Sequence, residues 1–77
     1  MEYKKASEIA REYYFENYSK TEAMVNVLFG RLQKEIKFPH FVLRKTKIYN
    51  VEQINKLLEK NNKPILKKRG ENEKIPF

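Results

Sequence analysis

The feature that most constrains the fold is Pro39, which separates two stretches with different hydrophobic patterns. Before it, apolar residues recur at helical spacing from Val25 to Ile36. After it, the stretch from Phe41 to Tyr49 is short and contains several residues that favour strands. Because the residue before a proline is disfavoured in the helical region, the helix must end before Pro39. The sequence therefore predicts a helix followed directly by β structure.

Three helices are predicted, two of them from capping signals. Ser19 and Glu22 have the spacing of a capping box and mark the start of the second helix. Asn50 and Gln53 repeat that spacing in a weaker form ahead of the third helix. The first helix is expected to end within residues 13–20, which are aromatic-rich and turn-prone. The predicted buried stripes are Ile9, Ala10 and Tyr13 in the first helix, Val25, Leu28, Phe29, Leu32 and Ile36 in the second, and Val51, Ile54, Leu57 and Leu58 in the third, which ends near Asn61.

The side of the second helix opposite its apolar stripe is small, polar and basic. Gly30 lies on this side, where glycine costs about 1 kcal/mol relative to alanine inside a helix. Either a neighbouring helix or a nucleic-acid backbone would have to approach closely to explain it, and its position away from the stripe favours the second explanation. The outward side comprises Ala23, Asn26, Val27, Gly30, Lys34 and Lys37, flanked by Arg31 and Gln33.

A two-stranded hairpin is predicted between the second and third helices. Its strands are residues 41–44 and 47–49, joined at Lys45 and Thr46. No Asn-Gly or Asp-Gly pair marks the turn, although such pairs are the strongest short signal for a hairpin. The predicted fold class is thus mainly α, of the α+β type.

One domain is expected, followed by a tail. Residues 1–62 contain all the predicted helices and strands. In residues 63–77, the stretch after Pro64 has no sustained period, two helix-breaking residues and many charges, which predicts a basic and mostly disordered tail. Within it, Ile65 and Leu66 have the hydrophobicity to pack back on the domain.

The charge of the chain is concentrated in two places. The formal net charge is +7 over 77 residues. Residues 19–49 carry seven basic and two acidic groups, and residues 63–77 carry five basic and two acidic groups, whereas the remaining segments are close to neutral. A localised positive field favours a polyanionic partner, with nucleic acid first and an anionic membrane second.

Several function classes have little support. The chain has no cysteine and one histidine, His40, so neither a metal site nor a cofactor is expected. No nucleophile with a neighbouring base is present, and the two glycines form no phosphate-binding loop, so an enzyme is not expected. No apolar run approaches the length of a membrane span and no signal peptide is evident, which predicts a cytoplasmic protein that does not enter the membrane.

Three stretches carry a resemblance to a known family. KASEIAREY, residues 5–13, is similar to the opening helix of the small winged helix-turn-helix domains of the excisionase and MerR-like family. FPHFVLRKTKIYNVEQINKLL, residues 38–58, resembles the closing segment of that family, which has an apolar-Pro turn, a basic wing and a short helix ending in paired leucines. LFGRLQKEI, residues 28–36, is placed where the second helix of the family ends.

The resemblance implies a protein that binds double-stranded DNA at specific sequences, as an excisionase-like factor that directs recombination or as a small transcriptional regulator. The second helix would enter the major groove and the wing would contact the minor groove or phosphates. Expected partners are double-stranded DNA, a recombinase or integrase, and further copies of the chain on DNA. The implied base contacts are Asn26 and Arg31; the implied phosphate contacts are Lys20, Thr21, Lys34 and Lys37 from the second helix, Arg44, Lys45 and Lys47 from the wing, and Lys67, Lys68 and Arg69 from the tail.

An alternative function remains open at this stage. The aromatic residues at the junction of the first two helices are typical of core packing, but aromatic side chains also dominate protein interfaces. The chain would then be a small protein-binding module, such as an inhibitor or antirepressor from a mobile element or phage, acting through Tyr14, Phe15 and Tyr18. Tyr13 belongs to the same aromatic run.

Overall fold

The computed structural model describes residues 3–70, which form three helices and five short strands. In chain order these are strand β1 (Lys4–Lys5), helix α1 (Ala6–Glu12), strand β2 (Tyr13–Phe15), helix α2 (Glu22–Ile36), strand β3 (Phe41–Leu43), strand β4 (Thr46–Tyr49), helix α3 (Val51–Lys60) and strand β5 (Leu66–Lys68). The predicted α+β class and the three helices are confirmed. Residues 71–77 of the predicted tail lie outside the described residues.

Helix α2 begins two residues later than its capping signal predicted. Thr21 is the N-cap, and its hydroxyl oxygen accepts a hydrogen bond from the backbone N–H of Met24 at 3.3 Å. The prediction of Ser19 as the cap is wrong: the Ser19 hydroxyl lies 3.2 Å from the Thr21 hydroxyl and therefore supports the cap from outside the helix. Either residue has the short oxygen-bearing side chain that a cap requires.

Helix α3 begins where its signal predicted. The side-chain oxygen of Asn50 accepts a hydrogen bond from the backbone N–H of Gln53 at 3.2 Å. Asn50 is buried, so this bond also satisfies a polar group that water does not reach. Helix α1 is shorter than predicted because Tyr13–Phe15 leave the helix and form a strand instead.

The first sheet has three antiparallel strands in the order β1, β4, β3. Strands β3 and β4 form the predicted hairpin, with Phe41 opposite Ile48 and Leu43 opposite Thr46. The turn is Arg44–Lys45, one residue earlier than expected, and both residues have positive φ angles of 50° and 66°. Two positive φ angles are the requirement of a type I′ turn, which matches the twist of a hairpin even without Asn-Gly.

A second sheet corrects the prediction of a disordered tail for residues 63–70. Strand β5 pairs antiparallel with β2, with Leu66 opposite Phe15 and Lys68 opposite Tyr13. Leu66 is buried. This part of the tail is ordered because its backbone groups pair with those of β2 and because the Leu66 side chain packs in the core. The hydrophobicity of Leu66 was the sequence signal for this packing.

One hydrophobic core joins the three helices and both sheets. Of the predicted stripes, Ile9 and Ala10 of α1, Val25, Phe29 and Leu32 of α2, and Ile54 and Leu58 of α3 are buried, while Tyr13, Leu28, Ile36, Val51 and Leu57 pack partly exposed at its margin. Phe15, Phe38, Tyr49 and Leu66 complete the core. The ring of Phe29 contacts the rings of Phe38 and Tyr49, with centroids 5.3 and 5.1 Å away.

The core fixes the position of the sheet relative to α2. Because Tyr49 ends β4 and packs on Phe29, the hairpin is held beside the C-terminal half of α2. No helix within residues 3–70 combines the length and hydropathy needed to cross a bilayer.

Candidate nucleic-acid interface

The outward side of α2 is exposed along its whole length. All six residues assigned to it are solvent-exposed, while Val25, Phe29 and Leu32 on the opposite side are buried. Asn26, Gly30 and Lys34 follow one another at intervals of four residues and therefore lie in a row along the helix. This confirms the predicted orientation of the helix.

A basic groove lies between the C-terminal half of α2 and the hairpin. It is lined by Gly30, Gln33, Lys34, Lys37, Phe38, His40 and Lys47. Three lysines thus come from two different elements, two from the end of α2 and one from β4. The core contact between Phe29 and Tyr49 sets the spacing of these elements, so the groove is built into the fold.

Gly30 is in open space. A Cβ atom added to it would meet no heavy atom within 4 Å. The explanation by a neighbouring helix is therefore wrong for the described part of the chain. The helix presents bare backbone at the edge of the basic groove, where an external molecule can approach it closely.

The tip of the hairpin adds two more cations. Arg44 and Lys45 form the turn itself, and both are exposed. A shallow depression beside the tip is lined by Lys5, Lys45 and Lys47 among others, and another by Lys5 and Arg44. Lys5 was not predicted as a site residue, because its position in sequence gave no indication that β1 would pair with β4.

Most of these cations have no acidic partner. Within residues 3–70 the ion pairs given by the structure join Lys4 to Glu12, Lys63 to Glu35 and Lys67 to Glu16. Six predicted site residues of α2, its C-terminal cap and the hairpin form no ion pair with any described residue: Arg31, Lys34, Lys37, Arg44, Lys45 and Lys47. Within residues 3–70 no acidic side chain compensates their mutual repulsion, which favours an external anion.

The N-terminal end of α2 is already engaged within the molecule. The Thr21 hydroxyl serves as the helix cap. The ammonium group of Lys20 lies over the ring of Tyr14, 4.6 Å from its centroid. These residues lie at the opposite end of α2 from the basic groove, so the structure does not bring them together with Lys34, Lys37 and Lys47.

The predicted tail residues separate into two groups. Lys67 and Lys68 are exposed on β5, and Lys67 lies 3.9 Å from Glu16. Arg69 is used inside the molecule: its guanidinium donates to the carbonyl oxygen of Ala10 at 3.1 Å, and its backbone N–H donates to that of Glu12 at 2.9 Å. Arg69 therefore anchors the tail on α1, and we do not retain it as a DNA contact.

Most aromatic side chains between the first two helices, residues 13–18, are packed against the core. Phe15 is fully buried, and Tyr13 and Tyr14 are partly buried. Only Tyr18 of this run is substantially exposed. A partner cannot reach Phe15 without unfolding β2, so the predicted protein-binding surface through Tyr14, Phe15 and Tyr18 is reduced to isolated residues.

Sequence reasoning missed Gln33 and His40 as groove residues. Gln33 was recognised only as a flank of the outward side, and His40 only as a turn residue. The Nδ1 atom of His40 lies 3.2 Å from the carbonyl oxygen of Phe38, which holds the ring at the groove. Burial raises the pKa of the Tyr49 hydroxyl, and a hydrogen bond with the Gln33 side chain partly offsets this effect.

Among residues 3–70 no group of three or more acidic, histidine or cysteine side chains is arranged to hold a metal ion. Comparisons of the chain with protein-family models, with curated proteins and with solved structures found no match.

Proposed function

We propose that this protein binds double-stranded DNA as a small winged helix-turn-helix protein. The observation that carries the proposal is the basic groove, in which lysines from α2 and β4 that pair with no acidic side chain among residues 3–70 converge beside the bare backbone at Gly30. Phosphates supply most of the affinity of DNA-binding proteins and are neutralised by such lysines. The three helices and the antiparallel hairpin are compatible with this fold.

The proposed mechanism divides the basic residues by role. Helix α2 enters the major groove with its outward side, and Asn26 and Arg31 contact base edges, because an amide matches adenine and a guanidinium matches guanine. Lys34, Lys37 and Lys47 bind the phosphates of one strand in the basic groove. Arg44 and Lys45 at the tip reach the adjacent minor groove or its phosphates.

Gly30 supports close contact in this arrangement. A side chain at that position would stand between α2 and a phosphate backbone lying in the basic groove. Its absence removes that obstacle at a conformational cost of about 1 kcal/mol to the helix. Lys67 and Lys68 add affinity without sequence information, since they lie on the second sheet and away from α2.

The biological role proposed for this binding is that of an excisionase-like architectural factor or a small transcriptional regulator. A chain of this size carries one reading helix, which contacts few base pairs. Site recognition would then come from several copies on adjacent sites or from a recombinase beside it.

A charge-removal pair tests DNA binding through the groove. The variant Lys34→Gln, Lys37→Gln, Lys47→Gln removes three charges from the basic groove. The control Arg11→Gln, Lys56→Gln, Lys60→Gln removes three charges from exposed positions on α1 and α3. Binding to a labelled pool of random-sequence 20-base-pair duplexes is followed by fluorescence anisotropy at low and moderate salt.

The proposal expects the groove variant to lose most of its affinity and the control to lose little. It also expects the slope of log K against log salt to decrease by about 0.9 for each phosphate contact removed. Equal losses in the two variants would mean that net charge alone governs binding. That result, or no binding by the unaltered protein, would overturn the proposal.

A further inference from the structure

A second surface, next to the basic groove, lies on strand β3. Its three residues are apolar and exposed, with Phe41, Val42 and Leu43 retaining 60%, 64% and 60% of their accessible surface. Three consecutive apolar residues with this exposure are unusual in a chain whose other stripes are buried. Nothing in the proposed DNA contact uses Phe41 or Leu43.

Strand β3 is also an open edge. The first sheet has the order β1, β4, β3, so among residues 3–70 no strand pairs with the outer side of β3. The two-residue turn makes Leu43 and Thr46 a hydrogen-bonded pair, and the alternation of an antiparallel ladder then points the N–H and C=O of Val42 away from β4. These groups are available to another strand.

The usual protection against strand addition is missing from this edge. Natural edge strands are commonly short and carry proline, an inward-pointing charge or a bulge. Strand β3 is short, but residues 41–43 contain neither a charge nor a proline. On the outer face of the sheet, the ring of Tyr3 contacts that of Phe41 with centroids 5.2 Å apart and extends the apolar surface to β1.

The rim of this surface is basic. Lys5 pairs with Ile48 on the outer face, Arg44 and Lys45 follow β3 directly, and Lys47 lies opposite Val42. A second copy of this chain would bring like charges together, because each copy has a net charge of +7. An acidic partner with alternating apolar side chains complements both the apolar strand and its cationic rim.

We propose that β3 binds an extended, acidic segment of a protein partner as an added antiparallel strand of the first sheet. The backbone of the added strand pairs with Val42. Its apolar side chains cover Phe41 and Leu43 on the outer face. Because side chains alternate along a strand, its carboxylates lie on the opposite face, near Lys47 and the tip cations Arg44 and Lys45. Binding by strand addition is an established mode of peptide recognition.

The test uses a blocked ten-residue peptide of alternating glutamate and valine as the probe. The full isotope-labelled chain is titrated with it while backbone amide shifts are recorded. The same peptide with every backbone amide N-methylated is the control, since it keeps the charges and side chains but cannot form the paired hydrogen bonds of an added strand. The proposal expects shifts centred on residues 41–43 with the first peptide only.

Two variants at position 42 separate backbone pairing from other effects. Val42→Pro removes the outward N–H, a change that edge strands tolerate because that N–H is not part of the ladder. Val42→Thr keeps the N–H and the preference for strand structure. The proline variant should bind the peptide about fivefold more weakly or worse, and the threonine variant should bind nearly as well as the unaltered chain. The amide spectrum of each variant verifies the fold.

Four outcomes would overturn the proposal. These are an absence of shifts at residues 41–43, equal binding of the N-methylated peptide, equal binding by the proline and threonine variants, and shifts at 41–43 that arise from protein concentration alone. The last would assign the edge to a second copy. Because DNA binding is measured through the basic groove, failure of either proposal leaves the other unaffected.

Discussion

The side-chain amide of Asn55 pairs with both backbone polar groups of Leu66. Its Nδ2 atom donates to the carbonyl oxygen of Leu66 at 3.0 Å, and its Oδ1 atom accepts from the N–H of Leu66 at 2.8 Å. The amide of Asn55 thus takes the place of a third strand beside β5. It closes one edge of the second sheet and connects α3 to the end of the chain.

Replacing Asn55 with alanine should destabilise the protein by about 1–3 kcal/mol, because it leaves a buried residue with two unsatisfied backbone groups. The free energy of unfolding measured in urea tests this. Asn61→Ala is the matched control, since the Asn61 side chain donates to the Leu57 carbonyl oxygen at an exposed site. The hydrogen exchange of the Leu66 amide should accelerate in the Asn55 variant and not in the control.

The two candidate caps of α2 should respond differently to substitution. Thr21→Ala should lower the free energy of unfolding by about 1 kcal/mol, because it removes the acceptor for the Met24 N–H. Ser19→Ala should lower it by less than about 0.5 kcal/mol, since Ser19 contacts the cap and not the helix. Equal effects of the two substitutions, measured by thermal unfolding, would contradict the assignment of Thr21.

The hairpin turn can be substituted so that its positive charge is removed while its backbone conformation is kept. Replacing Arg44 with Asn and Lys45 with Gly supplies the preferred residues for two positive φ angles while removing two cations. The variant should therefore be as stable as the unaltered chain or more stable. Its DNA affinity should nevertheless fall, and its salt slope should decrease by up to about 1.8 if both side chains contact phosphates.

An unchanged salt slope in a folded Arg44→Asn, Lys45→Gly variant would remove the hairpin tip from the DNA contact. Asparagine and glycine are preferable to alanine at these positions, because alanine at a positive φ would strain the turn. A lower DNA affinity could then come from the altered turn as well as from the lost charge.

Stability should fall at alkaline pH in a way that depends on Tyr49. Burial raises the pKa of the Tyr49 hydroxyl above its ordinary value of 10.0, so the folded state keeps a proton that the unfolded state releases. The stabilisation is complete below pH 10 and is lost as the pH rises from 10 toward the folded pKa, by up to about 1.4 kcal/mol per pH unit.

Urea unfolding of the unaltered chain and of Tyr49→Phe at pH 8–11 measures this effect. The phenylalanine variant should show a shallower decline above pH 10, since it has no proton to release at this position. A decline of the same steepness in both proteins would mean that other groups cause it.

Local signals in the sequence were sufficient for the presence of the three helices and for the outward side of α2, but not for the start of α2 or the end of α1. The apolar spacing of Val25, Phe29 and Leu32 predicted the buried side, and the short amide side chain of Asn50 marked the start of α3. The hairpin was also predicted from local composition. The predicted turn is one residue too late in the sequence, because Arg44 and Lys45 adopt positive φ angles although neither is a glycine or an asparagine, the residues that usually mark such a turn.

Non-local pairing was not predictable in the same way. Strand β5 pairs with β2 across about fifty residues, and β1 pairs with β4 across about forty, and neither strand has a pattern of its own. The role of Arg69 as an anchor, the burial of Phe15 and the contribution of Lys5 to the hairpin surface all depend on these pairings. The convergence of Lys47 with Lys34 and Lys37 also required the packing of Tyr49 on Phe29.

DNA binding through α2 and the hairpin is tested by titrating the isotope-labelled protein with a random-sequence duplex and recording the amide shift of each residue at two salt concentrations. This contact predicts shifts concentrated on the outward side of α2, including the Gly30 amide, and on residues 44–47, all decreasing as salt increases. Shifts confined to β5 and α3, or none at low salt, would contradict it.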